Sequence, residues 1–74
     1  MNEITPDFSI KSRVHVFRAE HRITQQQLAD AVGVTRATIG AIERGDYNPS
    51  LELAFRLSRY FNTDIHSLFT IEEK

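Results

Sequence analysis

The feature that most restricts the fold is the punctuation between residues 24 and 45. Thr24-Gln25-Gln26-Gln27 has the form of a capping box. In that motif the Thr24 hydroxyl accepts from the amide of Gln27, and the Gln27 side chain returns to the amide of Thr24. Leu28, Ala29 and Val32 then recur at helical spacing, and Gly33 follows, a residue that ends helices because it tolerates a left-handed backbone. Two residues later Thr35 is placed to cap a second helix, Arg36 to Arg44, with Ile39 and Ile42 on its apolar side and Gly45 as its stop. Two short amphipathic helices joined by one tight glycine turn are therefore the core of the pattern.

The flanks extend the same grammar. Ser12 is placed to cap an earlier helix reaching about His21, with Val14 and Phe17 facing inward. After the loop Asp46-Tyr47-Asn48-Pro49, Ser50 caps a helix whose stripe is Leu53, Ala54, Leu57 and Phe61. Phe55 and Tyr60 fall outside that stripe. Asp64 caps a short fifth helix with Ile65, Leu68 and Phe69. Phe8-Ser9-Ile10-Lys11 and Phe69-Thr70-Ile71-Glu72 both alternate apolar and polar, a strand signal at each end. The expected architecture is all-α, a five-helix bundle with a short terminal β pair. One domain over residues 8–72 is expected, with residues 1–7 as a flexible tail and 73–74 as a second tail.

Composition narrows the function. Cysteine is absent, which removes disulfides, thiolate metal sites and thiol catalysis and fits a reducing cytoplasm. No apolar run approaches the ~18 residues of a membrane span. His15 and His21 are six apart and His66 lies on another element, so no metal site or cofactor is expected. No serine sits in an activating glycine-framed elbow, and no enzyme is expected. The net charge is −1, but it is unevenly spread. Residues 11–44 carry six cations against three acids, and the rest of the chain carries three cations against seven acids. Such a chain can turn a positive face to phosphate and keep a negative pole away from it.

The second helix of the pair has an uneven surface. Beside its buried isoleucines it carries Thr35, Arg36, Ala37, Thr38, Gly40 and Ala41, all small, polar or cationic. Arg36 opens the helix, where a cation opposes the helix dipole, so the position does not serve stability. A slim helix with one long cation at its start suits a DNA major groove about 12 Å wide.

The run TQQQLADAVGVTRATIGAIERGDYNPSLELAFRLSRYFNTDIHSLF closely resembles the Cro/repressor-type (XRE-type) helix-turn-helix family. Thr24-Gln25, Leu28-Ala29, Gly33-Val34-Thr35, Ile39, Ile42-Glu43, Gly45 and Asn48-Pro49-Ser50-Leu51 stand at the family spacing, and the likeness covers residues 13–69. It implies a lambda-repressor-like bundle that binds double-stranded DNA, with Arg36, Ala37, Thr38 and Ala41 reading bases. It implies phosphate contacts from Gln25, Thr35, Arg44, Tyr47 and Asn48, and an internal ion pair between Arg18 and Glu43. Ala37, Gly40 and Ala41 replace longer polar residues common in the family, which shifts the burden to Arg36, thymine methyls and DNA shape. A homodimer on a pseudo-palindromic operator is expected, with an interface around Ile65, Leu68, Phe69 and Ile71, joined by Tyr60 or Phe55. The reading is a transcriptional regulator, with repression the expected sign. The alternative is an antitoxin-like or restriction–modification controller module that binds a protein partner and regulates its own operon.

Overall fold

The computed structural model describes residues 7–73. Apart from Asp7, the expected N-terminal tail lies outside the described residues, as does Lys74. The element order is β1 (Phe8–Ser12), α1 (Val14–Glu20), α2 (Gln25–Val32), α3 (Arg36–Arg44), α4 (Leu51–Tyr60), α5 (Ile65–Leu68) and β2 (Phe69–Glu73). The chain is thus mostly helical, with one small sheet formed by its two ends.

The helix starts follow the side-chain chemistry of their caps. Thr24 and Gln27 form the reciprocal capping box, the Thr24 hydroxyl accepting at 3.0 Å and the Gln27 amide oxygen accepting at 2.8 Å. Thr35, Ser50 and Asp64 each accept from the backbone amide three residues on. The amide of Ser67 donates to the Asp64 carboxylate, which holds that carboxyl below its usual range. The first helix differs from the expected one. It begins at Val14 and ends at Glu20, and the Ser12 hydroxyl accepts from the Val14 amide at 3.2 Å. Ser12 belongs to β1, so its backbone is committed to the sheet and the helix starts one residue later than a Ser12 cap would place it.

One contiguous core joins the helices. Val14 from α1, Leu28 from α2, Ile39 from α3, Leu57 from α4 and Leu68 from α5 are all completely buried. Phe17, Ile23, Val34 and Phe69 pack around that centre. Leu68 was expected at a dimer interface, and its burial corrects that expectation. The short α5 turns it inward as the plug at the bottom of the bundle, leaving no surface for a partner.

The terminal strands pair antiparallel, with Ile10 opposite Ile71 and Phe8 opposite Glu73. Glu73 therefore lies within the sheet rather than in a C-terminal tail. The amide of Arg13 donates to the carbonyl of Leu68 at 2.7 Å, which anchors the sheet to the bundle.

The packing separates residues whose loss is costly from those whose loss is not. Leu57→Ala should cost about 2–5 kcal/mol of unfolding free energy, because it opens a cavity in a closed core. Tyr47→Ala, at a loop site 48% exposed, should fall within about 0.5 kcal/mol of wild type. Chemical denaturation of both variants measures the contrast, and equal losses would contradict this division.

Candidate nucleic-acid interface

The geometry of the α2–α3 pair rests on a left-handed turn. Gly33 has φ 80° and its amide returns to the carbonyl of Ala29 at 2.9 Å, while the amide of Val34 reaches the same carbonyl at 3.0 Å. A side chain there would be strained by the backbone conformation and would sit 3.3 Å from the Arg56 guanidinium. Arg56 has its own place in the turn. It donates to the carbonyl of Val32 at 3.2 Å, satisfying an open C-terminal group of α2, and bonds Glu52 at 2.7 Å.

A chain of polar contacts crosses from α1 to the first residue of α3. The Arg18 Nε donates to Glu43 Oε2 at 2.8 Å, Nη2 donates to Oε1 at 3.3 Å, and Nη1 donates to the carbonyl of Ile23 at 3.0 Å. Gln25 Nε2 donates to Glu43 Oε1 at 2.9 Å, and Gln25 Oε1 accepts from Arg36 Nη1 at 3.0 Å. A carboxylate only accepts and a guanidinium only donates, so both neighbours demand the same orientation of the Gln25 amide. The result is a relay, Arg18–Glu43–Gln25–Arg36, with its inner end packed and its outer end in solvent.

Glu43 is the hub. Its side chain is 8% exposed and that of Arg18 is 23% exposed. Burial pushes the Glu43 carboxyl upward. The hydrogen bonds from Arg18 and Gln25 and the charge of Arg18 outweigh it, and the group titrates below its ordinary value of 4.5.

The outer surface of α3 is sparse, as its residues require. Arg36 and Ala37 are exposed, Thr38 and Ala41 are half-buried, and Gly40 is buried. The Thr35 hydroxyl accepts from the Thr38 amide at 3.2 Å and lies 3.0 Å from the Thr38 hydroxyl. Gly40 is not an open groove-facing position. An added Cβ would sit 3.1 Å from Arg44 Nη1 and 3.8 Å from Gln25 Nε2, so the bare backbone is the floor over which Arg44 folds back. Arg44 also bonds Asp46 at 3.0 Å, with both side chains about two-thirds exposed. Tyr47 and Asn48 follow, both exposed. The structure thus sets Gln25 and Arg44 over Gly40, joins Arg36 to Gln25, and leaves Tyr47 and Asn48 on the adjoining loop.

The apolar surface lies elsewhere. Leu51 and Phe55, one turn apart on α4, are 71% and 52% exposed. Leu51 also lines a shallow groove with Ile10, Asn48, Pro49, Ala54, Ile65 and Phe69. Of the residues expected at an interface, Ile71 is exposed and Ile65 and Phe69 are half-buried. Tyr60 is exposed and stands edge-on to Phe61 at 5.1 Å. Leu51 and Ile10 were not expected there. Leu51 was legible as a residue two before Leu53, off the buried stripe, whereas the exposure of Ile10 follows only from where the sheet sits.

Among the described residues no helix is long and apolar enough to cross a membrane, and no cluster of potential metal ligands occurs.

Two short helices set by a left-handed glycine, with the second kept slim and held at its start by a residue from the first, define a helix-turn-helix unit. The helix-turn-helix family model matches residues 16–68, and the chain belongs to that family of transcriptional regulators, in its XRE type. It is 45% identical over 65 residues to a helix-turn-helix-type transcriptional regulator of Archaeoglobus fulgidus, covering 88% of this chain and 92% of that one. The crystal structure of the restriction–modification controller protein C.AhdI from Aeromonas hydrophila superposes with a TM-score of 0.71 at 30% identity, over 77% of this chain and 83% of that one. The transcriptional regulator VanUg shares the fold over 100% of this chain and 99% of its own, with a TM-score of 0.79 at 17% identity.

The hub yields a test with a pH signature. The folded-state value of Glu43 is lowered, so its stabilising effect is full above the unfolded value and fades as pH falls through the folded one. Glu43→Gln should cost about 3 kcal/mol at neutral pH, because it leaves the Arg18 charge poorly compensated. Its stability should also decline less steeply than that of wild type between pH 4.5 and more acidic values. Parallel pH profiles for the two proteins, measured by denaturant titration, would remove Glu43 from this role.

Proposed function

We propose that this protein is a homodimeric, sequence-specific DNA-binding regulator that acts as a repressor at a pseudo-palindromic operator. The observation that carries the reading is Arg36, a long cation at the exposed start of a slim helix, steadied by Gln25 from the neighbouring helix. Placed in a major groove, Arg36 presents a planar fork to guanine O6 and N7, while Ala37, Thr38 and Ala41 offer small contacts to neighbouring bases. Gln25, Thr35, Arg44, Tyr47 and Asn48 surround that helix and set the register against phosphates. For Arg44 to do so, the guanidinium exchanges Asp46 for phosphate, an easy trade between two exposed side chains. The cytoplasm is where such a regulator meets its DNA. The likeness to a restriction–modification controller supports a controller module as a narrower form of the same reading.

One reading helix covers only a few base pairs, too few to select a site among ~10⁶–10⁹ genomic competitors. A two-fold dimer doubles the read length when its helices lie about 34–36 Å apart. The apolar surface of Leu51, Phe55, Ile65, Phe69 and Ile71, with Ile10 at its edge, is the proposed interface. Leu68 has no part in it.

Selection of bound duplexes from a random pool should yield a two-fold symmetric consensus. Arg36→Ala should then lose about 1–3 kcal/mol on the selected duplex and much less on random DNA. Equal losses on both would make Arg36 a phosphate contact instead. Sedimentation at micromolar concentration should show a dimer that Leu51→Glu or Ile71→Glu dissociates. A monomer that occupies one site per subunit would refute the dimeric arrangement.

A further inference from the structure

Helices α1 to α4 end in the same way. In each, the second residue past the last bonded turn sends its amide to a carbonyl five residues back: Ile23 to Arg18, Val34 to Ala29, Asp46 to Ala41, and Thr63 to Ser58. The residue just before it takes a left-handed backbone, with φ 56° at Arg22, 80° at Gly33, 81° at Gly45 and 54° at Asn62. Glycine adopts this conformation freely and asparagine tolerates it, but a long side chain with a Cβ is disfavoured there. Three of the four stops therefore use the residue that backbone chemistry prefers. The fourth uses arginine.

The exception has a particular location. Arg22 ends α1 and stands three residues before Gln25, the first residue of α2, at most about 10 Å away along the chain. Its side chain is exposed, and none of the ion pairs among the described residues uses it. The capping box uses the amides of Thr24 and Gln27, which leaves those of Gln25 and Gln26 as open donors, while Arg36 bonds the Gln25 side chain and Arg44 lies beside it over Gly40. A strained backbone position that gains nothing from local packing points to a role outside the fold.

We propose that Arg22 is a DNA-backbone contact, a cation held by its left-handed turn beside the phosphate that meets the start of α2. The proposal rests on the DNA-binding reading above and adds to it a residue that family likeness does not supply. Because the contact is to phosphate, it raises affinity for all sequences alike and leaves base preference unchanged.

The test compares Arg22→Gly, Arg22→Asn and Arg22→Lys with wild type on a random-sequence duplex and on the duplex recovered by selection. Arg22→Gly should bind both duplexes about five- to tenfold more weakly per bound subunit near 0.1 M salt, with the log–log salt slope shallower by about 0.9 per subunit. Its thermal midpoint should rise by a few degrees as the strain is relieved. Arg22→Asn should follow it in binding, and Arg22→Lys should stay close to wild type. Unchanged affinity and salt slope in Arg22→Gly, with wild type binding normally, overturns the proposal alone. A lowered midpoint in Arg22→Gly also overturns it, since Arg22 would then be holding the fold. A wild-type protein that binds neither duplex overturns the DNA-binding reading and this proposal with it.

Discussion

The half-sealed carboxylate of Glu43 is the constraint on which the arrangement of α1, α2 and α3 depends. Once packed between those helices it needs donors, because an ionised group away from water is costly without them. Arg18 comes from α1 and Gln25 from α2, and each spends a second contact on something else. Arg18 holds the carbonyl of Ile23 in the connector, and Gln25 holds Arg36 at the start of α3. One buried charge thus sets the spacing of three helices and the aim of the outermost cation. The apolar core supplies most of the stabilisation through non-directional burial, and the carboxylate supplies direction.

A second consequence is the separation of surfaces. Arg22, Arg36 and Arg44 stand before α2 and at the two ends of α3, while Asp46, Asp64, Glu72 and Glu73 lie on the loop after α3, at the cap of α5 and on β2. The exposed apolar residues Leu51, Phe55 and Ile71 all lie after α3, where residues 45–73 carry five acids against two arginines. Glu72 and Glu73 disfavour a polyanion at the Ile71 end of that apolar surface. Asp46 stands at the border of the two regions and its bond to Arg44 softens the transition.

Much of the fold was legible because its signals are local. A cap acts on an amide three residues away, and a left-handed stop acts on carbonyls within the same helix. Thr24, Thr35, Ser50 and Asp64 therefore declared their helices without any knowledge of tertiary structure. The first helix was less legible, because Ser12 had two possible employers and the sheet, a long-range pairing, claimed it. Leu68 was misplaced for a similar reason. On a four-residue helix the periodicity is too short to tell the buried face from the exposed one.

The sequence by itself determined where α2, α3 and α4 start and stop and where α5 starts, which helices form the glycine-linked pair, and which residues lie on the slim helix. Those properties follow from capping, propensity and 3.6-residue periodicity, all of which act over a few residues. Only the tertiary structure decided that Gln25 faces both Glu43 and Arg36, that Gly40 is a floor for Arg44, and that Ile10 and Leu51 border one groove. It also revealed that Arg22 stands where glycine or asparagine stands at the other three helix ends. Each of those facts depends on how separate elements cross or on the handedness of one backbone angle, and neither is written in the spacing of residues along the chain.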